Sequence, residues 1–122
     1  MSQIILIFLG GGFGSLARYG VGKIFLKWQP MFPLGTLAAN IFACFIIGLI
    51  TGWAALKPLD STASYRAFIA FGFCGGFCTF STFTTDTIQL IMNNRIFDAF
   101  INIGLNLFLG LAAAAIGIWL GK

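Results

Sequence analysis

Gly72-Phe73-Cys74-Gly75-Gly76-Phe77-Cys78-Thr79-Phe80-Ser81-Thr82-Phe83-Thr84-Thr85-Asp86 is the stretch around which the chain is organised. It holds three glycines within five residues, then alternates hydroxyl side chains with phenylalanines, and ends on one of only three acids in the protein. Glycines at that density weaken a helix by about 1 kcal/mol each relative to alanine. The hydroxyls that follow can satisfy backbone groups that a break would free. The stretch lies midway along a long apolar run, so it predicts a helix interrupted at Gly75-Gly76. In lipid, such a break survives only if it is buried in protein or lines a wet cavity. The expectation is therefore a polar, phenylalanine-edged site near the membrane midplane.

Composition sets the environment of that site. Of 122 residues, 59% are hydrophobic and 8% charged, and the mean hydropathy is +0.98. A soluble domain carries roughly a quarter charged residues, so this is an integral membrane protein. The net charge of +4 comes from basic residues scattered singly, without the polybasic cluster that a nucleic-acid surface needs; no nucleic acid is expected as a partner. Cys44, Cys74 and Cys78 fall inside apolar runs, and with no histidine in the chain they read as packing rather than as zinc or redox ligands. The first 22 residues have the hydrophobicity of a signal peptide but no basic start, and they hold Arg18. They read as a retained first helix.

Outward from the glycine break, the chain divides into a single transmembrane domain with helices at about 3–21, 34–56, 63–92 (broken near 75–79) and 96–120. In the first, Gly10 and Gly14 lie four apart, the spacing for close backbone approach to another helix. Arg18 there admits two readings: a side chain snorkelling to the headgroups, or one drawing an anion toward a vestibule. Lys23, Lys27, Trp28, Pro30 and Pro33 form an interfacial loop. The second helix places Thr36, Asn40, Ala43, Ile47 and Thr51 at helical spacing. Asn40 either hydrogen-bonds two helices together or offers its N–H donors to a dehydrated anion. Residues from Lys57 to Arg66 make a polar connection. In the fourth helix Asn102 and Asn106 share a face, and Gly110, Gly117 and Gly121 supply close-packing positions.

Four spans put both ends of the chain on one side. Lys57, Arg66 and Lys122 then lie on the side of the termini, and Lys23, Lys27 and Arg95 on the other, with Arg18 close by. Loop lysines and arginines set orientation, and this balance predicts insertion in both directions. Opposed copies can then pair about a two-fold axis in the membrane plane.

The intramembrane polar groups are amides and hydroxyls with almost no acids, an inventory rich in neutral donors. A cation path would show acidic rings or carbonyl filters. Phe80 and Phe83, one helical turn apart, can present the positive edges of their rings. Donors and ring edges together favour a small anion, although two of 15 phenylalanines at helical spacing are also ordinary core. Carbonyls freed at the break offer a second chemistry, a buried structural cation such as sodium, which two antiparallel copies would share at their axis.

The segments Gly75-Gly76-Phe77-Cys78-Thr79-Phe80-Ser81-Thr82-Phe83, Gly35-Thr36-Leu37-Ala38-Ala39-Asn40 and Gly10-Gly11-Gly12-Phe13-Gly14-Ser15-Leu16-Ala17-Arg18-Tyr19 together resemble the Fluc (CrcB) family of microbial fluoride channels. The resemblance covers the whole chain. It implies an all-α membrane protein assembled as an antiparallel, dual-topology homodimer in the bacterial plasma or inner membrane, with two fluoride pores and a sodium ion at the dimer axis. It implies that Phe80 and Phe83 line the pore with Asn40, that Ser81, Thr82 and Thr84 belong to its polar track, and that the main-chain carbonyls of Gly75 and Cys78 bind the sodium. On the fourth helix Asn106 is the candidate pore residue, where the family often has serine or threonine; Gly110 and Ala114 depart from the same pattern. Cys78 stands where serine or threonine is common, and Asp86 where some members have glutamate. The implied function is passive, electrogenic export of fluoride, which protects the cell. Fluoride enters as HF and is trapped as the anion, and a membrane potential negative inside favours its exit by roughly 2.3 kcal/mol per 100 mV.

The alternative is a small dual-topology, proton-coupled multidrug exporter, for which Asp86 would be the intramembrane acid. A pore-less assembly subunit is opposed by the polar faces, since a structural helix has no reason to bury unpaired donors in lipid. An enzyme lacks the histidine or carboxylate pair that acid–base work needs.

Overall fold

The computed structural model describes residues 2–28 and 32–122; Pro30 of the expected interfacial loop lies outside them. The helices are α1 (Ser2–Ile24), α2 (Leu34–Ala54), α3 (Leu59–Tyr65), a π-helical segment (Arg66–Cys74), α4 (Gly75–Phe77), α5 (Phe80–Met92) and α6 (Ile96–Gly121). No strand occurs among the described residues. Four stretches are long and apolar enough to cross a membrane: Ser2–Ile24, Leu34–Ala54, Leu59–Met92 and Ile96–Gly121. Even the shortest, at about 1.5 Å per residue, covers a hydrocarbon core of roughly 30 Å. The chain is an all-α membrane protein with four spans, the third of them broken.

The third span starts earlier than its polar sequence suggests. Residues from Lys57 to Arg66, expected as a connection, are helical from Leu59 onward. Pro58, extended at φ −56°, ψ 139°, sets the start. The Ser61 hydroxyl donates to the Pro58 carbonyl at 2.8 Å, and Asp60 sits in the first turn, where the helix dipole favours a negative charge.

Two helix pairs make up the body. α1 packs along the π-helical segment and α4, and α2 packs along α6. Lipid removes any hydrophobic drive between helices, so pairs like these depend on close van der Waals approach. Gly10 and Gly14 provide it as their spacing predicts: a Cβ on Gly10 would strike the Phe68 carbonyl oxygen and one on Gly14 that of Phe73. In the second pair a Cβ on Gly117 would lie 3.0 Å from the Gly48 Cα. Gly110 is looser, with only the Cys44 sulfur at 3.4 Å.

The pairs meet in a core of Ala39, Ala43, Cys74 and Phe77, where α2 crosses the third span just before its break. Cys74 is fully buried there, and Cys44 and Cys78 are half-buried thiols. At the membrane boundaries, lysines sit over aromatic rings: Lys23 on Tyr19, Lys27 on Trp28 and Lys57 on Trp53. This is the amphipathic lining an interface favours.

Candidate functional site

The backbone leaves the helix at Cys78 (φ −94°, ψ 158°) and Thr79 (φ −154°, ψ 124°). The break therefore falls three residues beyond the glycine pair expected to cause it. Gly75 is helical, at φ −62°, ψ −35°. Gly76 lies within α4, and its missing Cβ is used against α1, where it would meet the Gly11 carbonyl and lie 3.1 Å from the Ser15 nitrogen. Packing, and not conformational freedom, explains Gly76. Gly75 faces open space.

In an unbroken helix the Thr79 N–H would bond to the Gly75 carbonyl four residues back. Here it donates to Asn40 Oδ1 at 3.3 Å. Asn40 Nδ2 donates to Asn106 Oδ1 at 2.9 Å. Asn106 Nδ2 donates to the Asn102 carbonyl at 2.8 Å and to Asn102 Oδ1 at 3.0 Å. Asn102 Nδ2 donates to Thr87 Oγ1 at 3.0 Å, and that hydroxyl donates to the Phe83 carbonyl at 2.8 Å. The chain of bonds leaves the start of α5 at Thr79, crosses α2 and α6, and returns to α5 two turns further on at Thr87, which points back to the Phe83 carbonyl. Asn102, 1% exposed, lies at its buried heart.

Among the described residues every buried side-chain nitrogen and oxygen has a partner. The expectation that the polar faces bury unpaired donors fails, because the amides face one another. Asn40 is helix glue, and its bonds leave it one further N–H.

The hydroxyls after the break divide. Thr84 and Thr85 both donate to the Ser81 carbonyl, at 2.8 and 2.9 Å, so their protons serve their own helix. Thr79 and Ser81 hydroxyls lie 2.9 Å apart. The Phe80 and Phe83 rings meet tilted at 47°, with centroids 5.7 Å apart, and Phe80, 76% exposed, opens onto the outer surface of the single chain. The Thr36 hydroxyl donates to Asp86 Oδ2 at 2.8 Å.

A cleft of about 380 Å³ runs between α1, α2 and the break, lined by Ser15, Arg18, Tyr19, Gly22, Gly35, Thr36, Ala39, Asn40, Thr79 and Thr82. A second of about 250 Å³ adjoins it through Thr36 and Thr82 and reaches Asp86 and Gln89. Of the residues singled out in the sequence, Arg18, Asn40 and Thr82 meet in the first cleft. Ser81, Thr84, Phe80, Phe83 and Asn106 do not line it. Thr87 and the network role of Asn102 went unread. The signal for Asn102 was its spacing of four from Asn106, and Thr87 extends the hydroxyl run by one turn from Phe83.

The protein is thus a four-span helical membrane protein whose third span breaks beside an amide-bearing cleft. The chain belongs to the CrcB family, whose model, described as "CrcB-like protein, Camphor Resistance (CrcB)", matches residues 5–118. Three relatives, each called "Fluoride-specific ion channel FluC", match over nearly their whole lengths. One from Flavobacterium psychrophilum is 40% identical, covering 100% of this chain and 98% of the relative. One from Hyphomonas neptunium is 34% identical, covering 100% and 97%. One from Escherichia coli is 38% identical, covering 98% and 94%.

Proposed function

We propose that the protein is a passive, electrogenic fluoride channel that exports the anion from the bacterial cytoplasm and so protects against its toxicity. The observation that carries this reading is the helix break at Cys78–Thr79, held beside a cleft in which Asn40, Thr82 and Arg18 supply neutral donors and one positive charge. The full-length similarity to proteins named fluoride channels supplies the identity of the anion.

Asn40 and Thr82 offer donors to a partly dehydrated anion, Phe80 and Phe83 offer ring edges further along the path, and Arg18 draws the anion into the vestibule. Ser81 and Thr84 flank the path on α5, and Asn106 sits behind Asn40.

The working unit is an antiparallel homodimer of dual topology with two pores. Supporting it, Phe80, Ser81 and Thr85 and the open face of Gly75 lie uncovered on the single chain, and exposed hydroxyls at membrane depth gain from a second copy that shields them from lipid. A sodium ion fits the same face. The extended backbone at Cys78 and the diversion of the Thr79 N–H to Asn40 leave the Gly75 and Cys78 carbonyls without their helical partners, and neutral oxygens are the donors that a hard cation takes. When bound, the ion would tie the breaks of the two copies together.

The test is anion efflux from liposomes loaded with potassium fluoride or potassium chloride, with valinomycin carrying the countercharge. Rapid loss of fluoride with chloride retained is the expected result. No fluoride loss from a well-folded dimer would defeat the reading.

A further inference from the structure

We propose that Asn106, Asn102 and Thr87 are positioning residues that hold the Asn40 amide with its oxygen on the helix break and one N–H left for an anion in the cleft. This rests on the channel reading above, and adds to it how the anion donor is oriented.

The direction of each hydrogen bond fixes the next. A peptide carbonyl only accepts and a peptide N–H only donates, while a carboxamide can turn either end outward. At one end of the bond chain the Phe83 carbonyl takes the Thr87 proton. That hydroxyl then has only lone pairs to offer, so Asn102 must face it with nitrogen, 3.0 Å away. The Asn102 oxygen is thereby turned toward Asn106, whose nitrogen it receives together with that of the Asn102 carbonyl contact. The Asn106 oxygen is left for the Asn40 nitrogen. The Asn40 oxygen is left for the Thr79 N–H, the second fixed end. Flipping any one amide sets two donors or two acceptors face to face, which for buried groups is costly.

Asn40 and Asn106 differ in the donors left to them. Asn106 spends its nitrogen on two oxygens of Asn102 and its oxygen on Asn40, so it has no donor to give an ion. Asn40 spends its oxygen and one N–H. Its second N–H has no protein partner among the described residues, and whereas the second N–H of Asn102 belongs to a side chain only 1% exposed, Asn40 lines the cleft with Arg18 and Thr82. A reversed Asn40 would show an anion its oxygen.

Fluoride currents across planar bilayers test this, because neutral HF carries none. Asn106→Asp keeps the shape and still accepts from Asn40, but its carboxylate has no donor for Asn102 until it is protonated. Its current is expected to fall by at least about fivefold between about pH 5 and about pH 8, while the unmodified protein changes little. Arg18 on α1 and Asp86, which binds Thr36 of α2, are the charged groups facing this region. Both are present in the unmodified reference. Thr87→Val adds no charge and lies outside the cleft lining; it is expected to lower the current by at least about fivefold, and Thr87→Ser to restore it. A flat profile for Asn106→Asp at any amplitude, or an unmodified current in Thr87→Val, overturns the relay. If Thr87→Val does not assemble, the pH profile decides alone. Absence of fluoride current in the unmodified protein would instead defeat the channel reading.

Discussion

Replacing Gly14 by alanine tests how closely α1 approaches the third span. The added methyl would land on the Phe73 carbonyl oxygen, with the Phe73 carbonyl carbon and the Phe77 nitrogen both 2.9 Å away. These are backbone atoms, so no rotamer change makes room and α1 must back away from its partner. Overpacking of this kind costs about 1–3 kcal/mol, and alanine's better helix propensity returns about 0.5–1 kcal/mol. The expected outcome is a net loss of up to about 2.5 kcal/mol. Gly20, on the same helix, has nothing within 4 Å of a built Cβ, so Gly20→Ala should gain about 0.5–1 kcal/mol from propensity alone. Titrating purified protein from mild detergent into SDS, with helix content read by circular dichroism, ranks the three. Opposite signs for the two variants are expected. Equal shifts, or a Gly14→Ala protein more stable than the unmodified one, would refute the packing argument.

Three further outcomes follow from the proposed channel and the fold. Phe80→Ile and Phe83→Ile should each reduce fluoride efflux by about tenfold or more while the dimer still assembles, since the ring edge is lost but apolar volume is kept; unchanged efflux in both removes the ring-edge role. Reporter fusions after Lys122 should be found on both sides of the membrane, and labelling confined to one side would end the dual-topology reading. In the folded protein Cys74, fully buried in the core, should resist N-ethylmaleimide and react only after SDS unfolding; rapid labelling of all three thiols without SDS would contradict the core described above.

The spans were legible in the sequence because their signal is local: an apolar run of sufficient length declares itself without reference to anything else in the chain. The same holds for the Gly10 and Gly14 spacing, which found its partner backbone. The break in the third span was expected near residues 75–79 and falls at Cys78–Thr79, the far end of that range, rather than at the glycine pair. Glycine weakens a helix in isolation, yet Gly76 is held helical by its contact with α1, and the chain departs from the helix where Asn40 captures the Thr79 N–H. That bond joins residues 39 apart in sequence, and the Asn40–Asn106 bond joins residues 66 apart. No periodicity within one helix encodes such a match. Residues 59–62 were misread for the opposite reason, since their local polarity suggested a loop while Pro58 and Asp60 suit the start of a helix.

The pairing of α1 with the third span and of α2 with α6 has a consequence for biosynthesis. Neither pair joins neighbours in the chain. As the protein emerges from the ribosome, the first span must wait in the bilayer until the third has been made, and the second must wait until the last. Gly117 and Gly121, which close the second seam against Phe45 and Leu49, lie in the second half of the fourth span. The second helix therefore lodges in the membrane without its principal neighbour until the fourth span has been made, and the tertiary structure is sealed from that span backward.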